Sequence, residues 1–137
     1  MRSVVFLLIS SIALSSIFIG AEVNGHVFLT IGLRESLDPI ILEGKLGVTY
    51  DYQTKTFGAK VSLNSLWDFG VVEMGISGAS IFVTQSTLPL LLIGPEISCS
   101  PIPWMSLDAT LYFSLPVGAA RNVKGPIPFL GGYAIVW

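Results

Sequence analysis

With 137 residues, 52% of them hydrophobic and only 12% charged, the chain has room for one domain and too little charge for a disordered tail or a conventional soluble surface. Seven Lys and Arg against nine Asp and Glu give a net charge of −2 with no basic block, which excludes nucleic-acid binding as the main task. The mean hydropathy of +0.75 therefore needs a structural explanation.

Met1-Arg2 is a short positive start, followed from Val4 to Ile19 by an apolar stretch broken only by serines and closed by Gly20-Ala21. This is the layout of a secretory signal peptide, read here as residues 1–21 with a cut after Ala21 and a single domain over 22–137. The alternative, an uncleaved helical anchor, is disfavoured by the short run and its serines. No Cys lies near the cut, so a lipid-anchored form is excluded. The remainder still averages about +0.5 in hydropathy, so the leader explains only part of the excess.

Beyond residue 21 no segment reaches 18 uninterrupted apolar residues, and helical spans are poorly supported. Alternation takes their place. The first strand, about 26–34, sets Val27, Leu29, Ile31 and Leu33 on one side. The second, 40–52, sets Ile40, Leu42, Leu46, Val48, Tyr50 and Tyr52 against Glu43, Lys45, Thr49 and Asp51. After a polar turn at 53–55, a third strand over 55–65 alternates Phe57, Ala59, Val61 and Leu63 with Gly58, Lys60, Ser62 and Asn64. Weaker patterns predict strands at 69–77, 80–85 and 89–98, the stretch 69–85 reading either as one long strand or as a hairpin turning near Gly78; Pro89 and Pro95 weaken the last of these. The pattern is cleanest over 105–115, and a final strand over 128–137 ends Tyr133-x-Ile135-x-Trp137.

Eight antiparallel strands of this kind predict an all-β, up-and-down barrel. The apolar rows point outward to a bilayer if the strands span it, and inward if the protein is soluble. Strand lengths near ten residues suit a tilted transmembrane strand. The polar rows are rich in Gly, Ser and Thr, which suit a narrow lumen. Tyr50, Tyr52, Phe57, Trp67, Trp104 and Trp137 stand near strand ends, where membrane-interface aromatics belong. The competing architecture is a secreted soluble β-barrel or sandwich binding an apolar ligand inside. Exposed Leu46, Val48 and Tyr50 would favour the membrane barrel; exposed Glu43, Lys45 and Thr49 would refute it.

In this strand pattern and in the C-terminal Tyr133, Ile135 and Trp137, the chain resembles the small eight-stranded outer-membrane β-barrels of Gram-negative-type bacteria. That family typically ends in Phe rather than Trp. The resemblance implies a cell outer-membrane location, contact with the lipid bilayer, and a C-terminal signal at Tyr133, Ile135 and Trp137 read by the outer-membrane assembly machinery. It also implies both termini in the periplasm, with loops near 35–39, 65–68, 85–88 and 116–127 outside and turns near 53–54, 78–79 and 99–103 inside. Of the outer loops only 116–128 is long, and it carries Arg121 and Lys124.

The inward row would hold Glu43, Lys45, Asp51, Lys60, Glu73, Glu96 and Asp108, with the lysines paired to neighbouring carboxylates. An eight-stranded interior is just filled by side chains, which favours a plug over a narrow, weakly cation-preferring pore. Enzymatic readings fare badly, because His26 is the single His and no G-x-S-x-G nucleophile motif is present. One His and one Cys, far apart, make no metal cluster, and no cofactor is implied. Cys99 has no partner for an intrachain disulfide and stands among apolar neighbours. The oligomeric state is not encoded in any of these features.

Overall fold

A computed structural model describes residues 16–84, 88–116 and 125–136, which form no α-helix. Eight strands follow one another: β1 (Ser16–Asn24), β2 (His26–Leu37), β3 (Ile40–Asp51), β4 (Thr56–Asp68), β5 (Val72–Val83), β6 (Leu90–Ile102), β7 (Met105–Ser114) and β8 (Ile127–Ile135). Each pairs antiparallel with the next, and β8 pairs with β1 to close the barrel. Closure leaves no unpaired sheet edge.

The period of two in the sequence becomes two unlike surfaces. On β3, Leu42, Leu46, Val48 and Tyr50 are exposed, whereas Ile41, Glu43 and Lys45 are buried. The same division holds on β4, where Val61 and Leu63 face out and Lys60, Ser62 and Asn64 face in. The soluble alternative required the opposite assignment.

Two strand boundaries differ from the sequence expectation. Of the two readings of 69–85 the single long strand holds, as β5, and Gly78 is no turn: it pairs with Leu63 on one side and Ile93 on the other. Small residues at 78–80 mimic a turn, but alternation continues unbroken through Glu73, Gly75, Ser77 and Ala79 on the inner row. The eighth strand comes instead from Ser16–Asn24, which overlaps the end of the segment read as a leader. There Ile17, Ile19, Ala21 and Val23 alternate with Phe18, Gly20 and Glu22, and the inward Phe18 disguises the alternation as a continuous apolar run. Ala21 pairs with both Leu29 and Gly132, so a cut after it would divide β1. Residues 1–15, the loop positions Arg121 and Lys124, and Trp137 lie outside the described residues.

This shift also re-sorts the connections. Gly25, at φ +66°, links β1 to β2 and lies at the same end as links 52–55, 84–89 and 115–126. Links 38–39, 69–71 and 103–104 lie at the other end, with the start of β1 and the finish of β8. The expected grouping of 35–39 and 65–68 with the long loops is therefore corrected, as is that of 53–54 with the short turns.

Pro95 is accommodated inside β6. It faces Ile76 of β5, while the pairing to β7 skips from Ile93 to Glu96. Inside the loop end, Phe28, Ala79, Leu92, Tyr112 and Phe129 form a buried apolar cluster backed by Ile81, Leu90 and Ile127. Towards the opposite end, the ring of Phe18 lies where a Cβ on Gly32 would be. Gly32→Ala is expected to destabilise the barrel by about 1–3 kcal/mol through overpacking. Urea unfolding in detergent should show that cost largely removed in a Phe18→Ala background; an equal cost in both backgrounds would contradict this packing.

The charged lumen as candidate functional site

Alternation alone places a charged network inside the barrel. The inward row of β3 contributes Glu43 and Lys45, that of β4 Lys60 and Asn64, and β5, β6 and β7 contribute Glu73, Glu96 and Asp108. Isolated charges at these depths would cost several kcal/mol each, so each must find a partner.

Lys45 stands at the centre. Its Nζ lies 3.4 Å from Glu43 and 3.3 Å from Glu96, and it also bonds Asp108. The ring of Tyr133 lies 4.8 Å away on another side. Lys60 pairs with Glu22, and its ammonium is 4.3 Å from the Phe129 ring centroid, where the charged region meets the apolar cluster. Arg34 pairs with Glu73 and lies 3.5 Å from Glu43. Neutral groups stitch these pairs together. Asn64 donates towards Glu43 and Glu96 and accepts from Ser77 at 2.5 Å, and Ser77 bonds the Tyr112 hydroxyl at 2.6 Å. Tyr133 donates its hydroxyl to Glu22 at 2.7 Å.

Two pairs, Lys60–Glu22 and Arg34–Glu73, balance. Lys45 faces three carboxylates, so the local excess of negative charge resides with Glu43, Glu96 and Asp108. Ligand oxygens of these three lie within 4.8 Å of one another, but the lysine ammonium is already in contact with all three. Among the described residues, Glu73 Oε2 and Glu96 Oε2 are buried without a hydrogen-bond partner.

Six of the seven sequence-predicted charges are thus assembled in the interior. Asp51 stands apart at the loop-end mouth, where its Oδ1 accepts from the Gln53 amide at 2.9 Å. Sequence reasoning missed Glu22 and Arg34. Glu22 fell beside the presumed cut, and Arg34 continues the inner row of β2 through Phe28, Thr30 and Gly32. It also missed the bridging roles of Asn64, Ser77, Tyr112 and Tyr133, which depend on contacts between distant strands.

The aromatics occupy the outer surface near both ends. Tyr50, Tyr52 and Phe57 are exposed at the loop end, Trp67 and Trp104 at the other. Of the proposed assembly signal, Tyr133 is buried in the lumen and Ile135 continues its row. His26 opens β2 at the mouth, and Cys99 is half-buried on the outer row of β6.

No family model matches the sequence, and no curated protein matches it. Among solved structures, the chain is similar to the crystal structure of neisserial surface protein A, at a TM-score of 0.43 and 13% identity. That similarity covers 90% of this chain and 94% of the other.

Lys45→Met should destabilise the barrel by about 3 kcal/mol or more, because three buried carboxylates lose their shared cation. Adding Asp108→Asn should recover part of the loss. Equilibrium unfolding of both variants measures the two values, and an unchanged Lys45→Met midpoint would mean that the ammonium is not needed.

Proposed function

We propose that this chain is an outer-membrane barrel whose interior is a structural plug rather than a conduit. The observation that carries the reading is the inversion of polarity. Each strand exposes an aliphatic side chain outward near its middle: Ile19, Leu29, Leu46, Leu63, Ile76, Ile97, Leu111 and Leu130. Among the described residues five carboxylates and three cations are meanwhile directed inward. In water this arrangement would be doubly unfavourable, since it exposes apolar area and desolvates charge. Hydrocarbon reverses the first cost.

The dimensions support a bilayer. Ten residues separate outward Phe57 from outward Trp67 on β4, roughly 33 Å along a strand and about 25 Å along the normal at a tilt near 40°. An apolar band of about 25 Å between aromatic girdles is the form of a transmembrane barrel. The longer connections share one end with links 25 and 52–55, and the family resemblance makes that end external. Export by the apolar N-terminal segment, and delivery to an assembly machinery through Tyr133, Ile135 and Trp137, belong to the same reading. A cleavage compatible with it falls before Ser16, since all of β1 is needed for closure.

The plug reading rests on the apolar cluster of Phe28, Leu92, Tyr112 and Phe129, which fills the lumen between the charged network and the loop-end mouth. The narrow-pore reading needs a continuous polar path, and the buried apolar cluster argues against one. The small-ligand alternative, an apolar cavity inside a soluble barrel, is opposed by the buried charges.

Leu63→Arg places a charge in the middle of the outer band. It should cost about 2–4 kcal/mol for folding into lipid bilayers. A soluble protein would tolerate it within about 0.5 kcal/mol, and release of the wild type from membranes into detergent-free buffer as a monomer would overturn the reading. Planar-bilayer recordings at high salt should show no stepwise conductance. Steps whose cation preference disappears in Glu73→Gln or Asp108→Asn would replace the plug with a pore.

A further inference from the structure

Above the apolar cluster the barrel opens into a vestibule of about 270 Å³ at the loop end. Its volume lies just under the range of sites that take drug-sized ligands. Phe28, Ile81 and Val83 give it an apolar floor and wall, and Asn24, His26, Thr49 and Asp51 line it with polar groups. Neither the mouth nor its ionisable groups take part in the lumen network that holds the barrel together.

Among the described residues Asp51 is the single carboxylate of this lining, and no Lys or Arg lines the vestibule with it. Every other inward acidic side chain named above is paired to a cation or lies beside one. Among the described residues no Lys or Arg stands within ion-pair distance of Asp51; its carboxylate accepts from Gln53 and Thr54 of its own turn, and His26 is the titratable neighbour in the lining. Among the described residues, then, the carboxylate meets no Lys or Arg and the apolar floor is left uncovered. A ligand that satisfies both has an ammonium head and a compact apolar body.

We infer that the mouth vestibule binds small organic ammonium compounds, with Asp51 and the neighbouring threonine and asparagine side chains receiving the head group and Phe28, Ile81 and Val83 packing the body. An anion of the same shape would be repelled by Asp51. A neutral isostere would gain only the apolar contact. The ion pair is solvent-accessible, so its contribution is modest and screened by salt.

The test uses the full chain folded in detergent micelles, with nuclear magnetic resonance titrations of benzylammonium, benzyl alcohol and benzoate. Empty micelles give the partitioning baseline. Benzylammonium should saturate, with shifts confined to residues around Asp51, Thr49 and Ile81, and should bind about threefold to tenfold more tightly than benzyl alcohol. Asp51→Asn should remove that preference and leave benzyl alcohol binding unchanged. Thr56→Trp, which fills the mouth while keeping the carboxylate, should abolish both. Equal binding of benzoate and benzylammonium, shifts that follow micelle partitioning alone, or an unaltered preference in Asp51→Asn would each overturn the inference. Because the vestibule depends on barrel closure and not on the surrounding medium, these outcomes are independent of the extraction and conductance results.

Discussion

Everything in this molecule follows from the closure of one sheet. A closed antiparallel barrel satisfies its backbone internally, so the ladder needs no further partner. Closure then divides every strand into an inner and an outer row, and the inner row must fit a space of fixed width. That space holds Phe18 against Gly32, a ring of charges around Lys45, and an apolar stopper under the mouth. The outer row has no such limit and is free to be uniformly apolar.

The inner charges are better understood as a specificity device than as a source of stability. Buried ion pairs return little net free energy once desolvation is counted, yet breaking one is expensive. A slip of one residue on β3 would turn Glu43 and Lys45 out and Leu42, Gly44 and Leu46 in. Arg34, Lys45 and Lys60 each reach carboxylates on other strands, so such a slip would strand several partners at once. Register is fixed by this mutual dependence more than by any single contact.

Much of this was legible in the sequence, because a period of two carries the fold wherever polar and apolar residues alternate strictly. On β3, β4 and β7 the rows could be assigned without a structure, and the inward charges with them. Legibility failed where composition concealed the period. In β1 the inner row begins with Phe18, so the strand merged into the apolar run before it; in β5 the small residues 78–80 suggested a turn. The partners of those charges were hidden for a different reason. Lys60 meets Glu22, and Ser77 meets Tyr112, across the interior, between residues whose separation along the chain has no periodic signature.

The hydrogen bond from Tyr133 to Glu22 joins the last strand to the first across 111 positions of sequence. Glu22 also serves Lys60 on β4, so neither group is fully accommodated until β8 arrives. A partly assembled sheet would hold the Glu22–Lys60 pair facing an open gap, with the Tyr133 donor still absent. Pairing of β8 with β1 therefore completes the partners of Glu22, and the final strand closes this part of the interior.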